Sequence, residues 1–136
     1  MRARHIWVVA VLAVGLAGCG EEKPSIPDPT TGGAQQVIDA IAPKWPVPNP
    51  RDTSDGCKAK DGDSGVGCTS RVTTDAVTVT EYADQAAAKQ AASTLAKVGD
   101  ARPAGRYVLS WAAGEQDLTD DDARADMVRI AEAQSS

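Results

Sequence analysis

The chain has 136 residues, a formal net charge of −5, three cysteines and one histidine. Domains that bind nucleic acid are normally basic, and anionic lipid headgroups attract basic surfaces, so this charge argues against both partners. The length allows one small domain with a single hydrophobic core.

The first residues have the layout of an export signal. Arg2 and Arg4 supply positive charge, and residues 6–17 are almost entirely apolar. This run is too short for a bilayer-spanning helix, which needs about 20 apolar residues. We therefore expect residues 1–18 to be a signal peptide that the mature protein lacks.

The end of this segment carries a short motif, Leu16-Ala17-Gly18-Cys19. It resembles the lipobox of bacterial prolipoproteins, in which an aliphatic and two small residues precede a cysteine. The resemblance implies lipidation of the Cys19 thiol, cleavage before Cys19, and a protein held on the extracytoplasmic face of the cell membrane. Two or three acyl chains would anchor it stably. The composition, rich in Ala, Gly, Asp, Val and Arg, is similar to that of actinobacterial proteins.

Loss of the signal peptide would change the chemistry of the remaining chain. Two of the 14 basic residues and none of the 19 acidic ones lie in residues 1–18, so the net charge falls from −5 to −7. The only histidine, His5, leaves as well. Histidine is the commonest general base and a frequent zinc ligand. We therefore expect no cofactor and no metal.

Composition then divides the mature chain into two parts. Residues 19–33 contain the lipidated cysteine, three prolines and a Thr-Thr-Gly-Gly run, a composition that cannot form a core. We interpret them as a flexible linker. Residues 34–136 carry the periodic apolar patterns of one globular domain.

The first predicted helix covers residues 34–42, with Val37, Ile38 and Ile41 on its buried side, and ends before Pro43. The following proline-rich segment must be extended, and we expect Trp45 to pack on the core. A hairpin follows from two β-rich runs, residues 66–73 and 77–82. Cys68, Ser70 and Val72 are expected to share one face of its first strand.

The sequence of the second half of the domain predicts a helix, then a strand, then a second helix. Asp84 can cap a helix that runs to about Val98 and ends at Gly99. Its predicted buried stripe consists of Ala88, Ala91, Leu95 and Val98. Residues 102–105 are predicted to be a loop. Residues 106–113, apolar on both faces, are predicted to be the best-buried strand.

Thr119-Asp120-Asp121-Asp122 could be mistaken for an acidic metal cluster. A threonine followed by carboxylates is also typical of a helix N-terminus, where such groups accept hydrogen bonds from free backbone N–H groups. Ala123, Met127 and Ile130 supply an apolar stripe behind it. The sequence therefore predicts a helix start. The complete order α-β-β-α-β-α predicts an α+β domain with helices packed on a three-stranded sheet whose strand order stays open.

Cys57 and Cys68 are the cysteines that remain if Cys19 is acylated. An even pair in an exported protein is typical of a disulfide. A metal site would need further ligands, and a redox pair is more often spaced C-x-x-C. We therefore predict a structural disulfide.

Two motifs occupy the loop between these cysteines. Residues 62–65, Gly-Asp-Ser-Gly, resemble the nucleophile loop of chymotrypsin-like serine proteases, but the mature chain lacks the histidine base. Asp61 and Asp63 also imitate the start of a calcium loop, although Gly65 and Val72 replace expected ligands. We interpret the loop as a hydrophilic turn and leave open whether Asp61 and Asp63 bind an ion.

These observations favour a membrane-anchored, non-enzymatic binding module at the cell surface. Its partner would be an envelope protein or a cell-wall component, and an open sheet face is one contact surface that the fold could offer. The alternatives are a small cell-wall hydrolase that uses two carboxylates, and a structural spacer. The sequence does not identify the binding residues.

Overall fold

The computed structural model describes residues 33–60, 66–112 and 116–136. Within these ranges the chain forms three α-helices, a five-stranded antiparallel sheet and one 3₁₀ turn at Ser54–Gly56. The helices are α1 (Gly33–Ile41), α2 (Gln85–Leu95) and α3 (Asp121–Gln134), and the strands are β1 (Arg51–Asp52), β2 (Ser70–Thr73), β3 (Thr78–Glu81), β4 (Ala101–Ala104) and β5 (Tyr107–Ser110).

The sheet has the strand order β1-β2-β3-β5-β4, and every neighbouring pair is antiparallel. The α+β class is confirmed, whereas the three-stranded sheet is wrong because β1 and β4 extend it at the two edges. All residues of β3 and β5 are buried. Tyr107, Val108 and Leu109 of β5 are 0% exposed, less than most residues of β3, so the prediction that the strand after residue 106 is the best buried is confirmed.

Residues 102–105 were expected to be a loop and instead form most of β4 and the turn after it. Pro103 pairs with Val108 of β5. Proline has no N–H to donate, but β4 is an edge strand and no further strand needs that donor. Gly105 then has a φ of 60°, which suits the tight reversal into β5.

The predicted hairpin is confirmed as β2 and β3, although β2 begins at Ser70. The chain just before β2 pairs elsewhere, since the Cys68 N–H donates to the Cys57 carbonyl at 2.9 Å. Gly67 lies so close to Ala59 that a Cβ there would stand 2.2 Å from the Ala59 backbone nitrogen. As a consequence Cys68 does not share the core face of Ser70 and packs in a different cluster.

Helices α1 and α3 cover one face of the sheet. The predicted stripe of α1 is confirmed, with Val37, Ile38 and Ile41 all buried. They form the main core together with the side chains of Val79, Leu109 and Met127, among others. Glu81 stabilises the N-terminus of α1, because its carboxylate accepts a hydrogen bond from the Gly33 N–H at 3.1 Å.

Helix α2 and the disulfide cover part of the opposite face, where Ala88 and Ala92 pack on Val108. Helix α2 packs mainly on β4 and β5, so the open sheet face that the sequence allowed for is covered in part. Asp84 caps α2 as predicted by accepting the Ala87 N–H at 2.8 Å. The predicted end is wrong. After Leu95 the backbone forms a turn with short-range hydrogen bonds. The predicted burial of Val98 is therefore wrong as well, since its side chain is 76% exposed.

None of the helices in the described ranges is long and apolar enough to cross a membrane.

Candidate binding groove

The structure tests some of the residues that the sequence singles out. Cys57 and Cys68 form the predicted disulfide, with 5.4 Å between their Cα atoms. Cys19 and the signal peptide, and likewise Asp61 and Asp63, lie outside the described residues.

The acidic run before α3 begins the helix, as predicted, but the cap is one residue later than its threonine. The Asp120 carboxylate accepts the Ala123 N–H at 2.8 Å and is the N-cap. Thr119 instead accepts a hydrogen bond from the Arg124 side chain. Across residues 33–60, 66–112 and 116–136 no group of three or more Cys, His, Asp or Glu is placed to hold a metal ion.

A groove of about 390 Å³ lies between the loop after α1 and the segment that leads into α3. We call it the Trp45 groove, and it is lined by Trp45, Pro46, Leu118, Thr119, Asp120 and Ala123. Its volume falls at the lower end of the range for ligand sites, about 300–1,000 Å³. Indole, pyrrolidine, isobutyl and methyl groups give it mainly apolar walls.

The wall formed by Trp45 is held by a buried carboxylate. The Trp45 indole N–H donates to Asp126 of α3 at 2.8 Å. Lys44 and Arg129 form ion pairs with the same carboxylate, and the hydrogen bond from Lys44 is the main reason why the pKa of Asp126 is lowered. These contacts fix the indole, so a ligand would meet a preformed surface.

The opposite wall is held through Arg124 of α3. Its guanidinium donates to the Thr119 hydroxyl at 3.3 Å and to the Gln116 carbonyl at 3.2 Å, on either side of Leu118. Gln116 is itself buried and donates to the Thr74 carbonyl at 2.8 Å. The backbone around Leu118 is therefore anchored, while its side chain is 63% exposed at the edge of the groove.

Arg124 belongs to a cluster around Trp111. The guanidiniums of Arg102 and Arg124 lie 5.6 and 5.2 Å from the centre of the Trp111 ring system. Asp100 pairs with both, at 2.9 and 3.1 Å. The Arg102 hydrogen bond is the largest cause that lowers the pKa of Asp100. This cluster ties β4 and β5 to the start of α3.

Unpaired carboxylates are found next to lining residues of the groove in the chain, because Asp117 precedes Leu118 and Asp122 precedes Ala123. Asp121 pairs with Arg102, whereas no cation of the described residues pairs with Asp117 or Asp122. Both of these carboxylates are exposed. Lys44, the cation nearest to Trp45, is already paired with Asp126 at 2.5 Å. The groove therefore combines mainly apolar walls with the Asp120 carboxylate in its lining and with unpaired carboxylates at the adjacent positions 117 and 122, and we call these three the acidic rim.

A second hollow, of about 280 Å³, lies beside the disulfide between Tyr82, Val66 and α2. Burial raises the pKa of the Tyr82 phenol there. Val66, which lines the hollow, directly follows residues 61–65 in the chain, and the structure does not describe those residues, so no site is assigned here.

The carboxylates with displaced pKa values favour ion pairing over acid catalysis. Asp52, Asp100 and Asp126 all have pKa values below the ordinary value of 3.8. For Asp52 the largest cause is the Ser54 hydroxyl, which donates at 2.5 Å. The general acid of a glycoside hydrolase needs the opposite shift, upward, so that it holds a proton near neutral pH.

The sequence predicts part of this groove. It places Trp45 on the core, and the structure confirms that the indole packs there half-buried. It gives Leu118 no role. The signal in the sequence was a single leucine between an aspartate and a threonine, outside any apolar periodicity. A side chain at such a position is more often exposed than part of a core.

No family model matches the chain, and no curated protein or solved structure is found to be similar to it.

Proposed function

We propose that this protein is a membrane-anchored extracytoplasmic lipoprotein that binds a partner without catalysis, and that the Trp45 groove is its binding site. The observation that carries the proposal is the groove itself, whose apolar walls are fixed by Asp126 on one side and Arg124 on the other. Anchored walls lower the ordering cost of binding.

The exposed side chain of Leu118 supports a contact role. A large apolar side chain that is 63% exposed beside a rigid indole gains nothing from folding in that position. It would gain from burial against a partner, because removal of apolar surface from water is the main favourable term in association. An envelope protein is the partner class that we propose, since the groove walls offer few hydrogen bonds to a glycan.

Photo-crosslinking in intact cells tests the groove. A benzophenone amino acid at position 118 of the full-length lipoprotein is expected to give a discrete adduct on irradiation, detected by mobility shift and mass spectrometry. The matched control is the same amino acid at position 98, where Val98 is also apolar and exposed but lies after α2. Equal adducts at both positions, or none at 118, would contradict the proposal.

The anchor has its own test. Mass spectrometry of the mature N-terminal peptide is expected to show acylated Cys19, and Cys19→Ala should move the protein out of the membrane fraction. The acyl chains supply most of the membrane affinity, because the net charge does not attract the chain to anionic lipid. A Cys19→Ala protein that stayed membrane-bound would disprove the anchor.

A further inference from the structure

Resting on the proposed function, we infer that the Trp45 groove takes a short segment of a partner protein in which a large apolar side chain stands next to lysine or arginine. The apolar side chain would enter between Trp45 and Leu118. The basic side chain would lie at the rim, toward Asp117 and Asp122.

Charge is the first argument for this occupant. The basic side chains near the groove are engaged in ion pairs, Lys44 and Arg129 with Asp126, and Arg102 and Arg124 with Asp100. Asp117 and Asp122, by contrast, have no ion-pair partner among the described residues. A basic ligand would therefore meet uncompensated carboxylates, whereas an acidic ligand would be repelled.

Size and wall chemistry are the second argument. A groove of about 390 Å³ accommodates one large side chain and its neighbours rather than a folded surface. Its mainly apolar walls suit the apolar side chain, because burial between them removes that side chain from water.

The competing occupants fit the charge less well. A second copy would bring its own acidic rim against this one, and the whole chain has a net charge of −5. The carboxylates of Asp117 and Asp122 would then lose hydrating water without gaining a cation as partner. An anionic membrane surface is disfavoured for the same reason.

Peptide binding to the full-length lipoprotein in phosphatidylcholine nanodiscs tests the inference. The probes are fluorescent peptides Gly-Lys-Phe-Lys-Gly, Gly-Glu-Phe-Glu-Gly and Gly-Lys-Ser-Lys-Gly, measured by anisotropy at low and high salt. We expect the first peptide to bind at least about fivefold more tightly than the other two at low salt. The advantage over the acidic peptide should shrink in 0.5 M NaCl because exposed charges are then screened.

Two variants separate the charge from the apolar contact. Asp117→Asn/Asp122→Asn should weaken the first peptide about fivefold at low salt and little at high salt. The control Asp55→Asn/Glu132→Gln changes the net charge equally at exposed positions outside the groove and should change binding less than about twofold. Leu118→Ser should weaken binding about fivefold at both salt concentrations.

Ile26 is the large apolar residue of the linker, residues 19–33. Four results would overturn the inference: equal binding of the three peptides, equal behaviour of the two charge variants, tighter peptide binding after Ile26→Ser, or a dimer by sedimentation that Leu118→Ser abolishes. Tighter binding after Ile26→Ser would mean that the linker already occupies the groove. A dimer that depends on Leu118 would mean that a second copy of the chain occupies it. A position-118 crosslink to a partner protein without selective peptide binding would leave the proposed function standing and remove only this inference.

Discussion

Asp100 is the residue on which most of the charge at the sheet edge converges. It lies at the turn before β4, 28% exposed, and balances the two guanidiniums that stack on Trp111. Hydrogen bonds from Arg102 and then Arg124 lower its pKa, while burial acts in the opposite direction. The fold therefore favours the ionised form of Asp100.

This preference predicts that the free energy of unfolding falls in acid as Asp100 becomes protonated. Because the folded-state pKa of Asp100 lies below the ordinary 3.8, its contribution is fully present above about pH 4 and is lost as the pH falls through the folded-state value. Asp100→Asn should lower the free energy of unfolding at pH 7 by roughly 1 kcal/mol and flatten its decline below pH 4. Urea titrations across pH 2.5–7 measure both effects.

Asp122→Asn is the matched control for this experiment, since Asp122 is exposed and has no ion-pair partner among the described residues. Its stability should follow the wild-type pH curve. If the unfolding free energy of Asp100→Asn depended on pH as that of the wild type does, the Trp111 cluster would not depend on this carboxylate.

At the scale of elements, the start of α3 has both a structural and a binding role. Asp120 caps the helix and also lines the Trp45 groove. Two further carboxylates, Asp121 and Asp122, occupy the first turn, where the helix dipole favours negative charge. The acidic rim is therefore compatible with helix stability, so the fold does not oppose the proposed site.

Helix capping at α3 gives a second prediction. Asp120→Ala should lower the free energy of unfolding by about 1 kcal/mol, because the Ala123 N–H loses its acceptor. Thr119→Ala should cost less, since Thr119 only accepts from Arg124, which keeps its other partners. Chemical denaturation measures the difference, and an equal or larger loss for Thr119→Ala would place the cap at the threonine after all.

The predicted and the observed elements differ where tertiary context overrides local pattern. Helix α1 and the hairpin were predictable, since their apolar periodicity is strong and each is confirmed within a few residues. Strand β4 was not, because Pro103 normally argues against a strand and only its edge position permits one. Strand β1, two residues long, pairs with β2 across the disulfide loop and carries no periodic signal.

The groove was less predictable than the fold. Its two walls come from segments more than seventy residues apart in the chain, around Trp45 and Leu118, so no local pattern relates them. What brings them together is the hydrogen bond from Trp45 to Asp126. A half-buried indole and a buried carboxylate each have many possible partners, and only the packing of α1 against α3 selects this pair.

At the scale of the whole molecule, the two faces of the sheet are stabilised differently. One face carries the main core under α1 and α3, with large side chains such as Ile38, Leu109 and Met127. The other has a smaller cluster of Tyr82, Val108 and alanines, next to the disulfide. Little apolar area is buried on that second side, so the Cys57–Cys68 bond has to supply part of its stability.

The disulfide therefore provides the last prediction. In the chain-entropy model a bond across a sequence separation of 11 constrains the unfolded chain by about 2.5–3 kcal/mol. Cys57→Ala/Cys68→Ala should lose about that much unfolding free energy, and hydrogen exchange should rise first in α2 and the residues beside the bond. The Trp45 groove lies between α1 and α3, in a different cluster, so peptide binding should persist wherever the variant remains folded. Loss of peptide binding in a folded double variant would show that the two sides of the sheet are coupled, and that the groove depends on the disulfide.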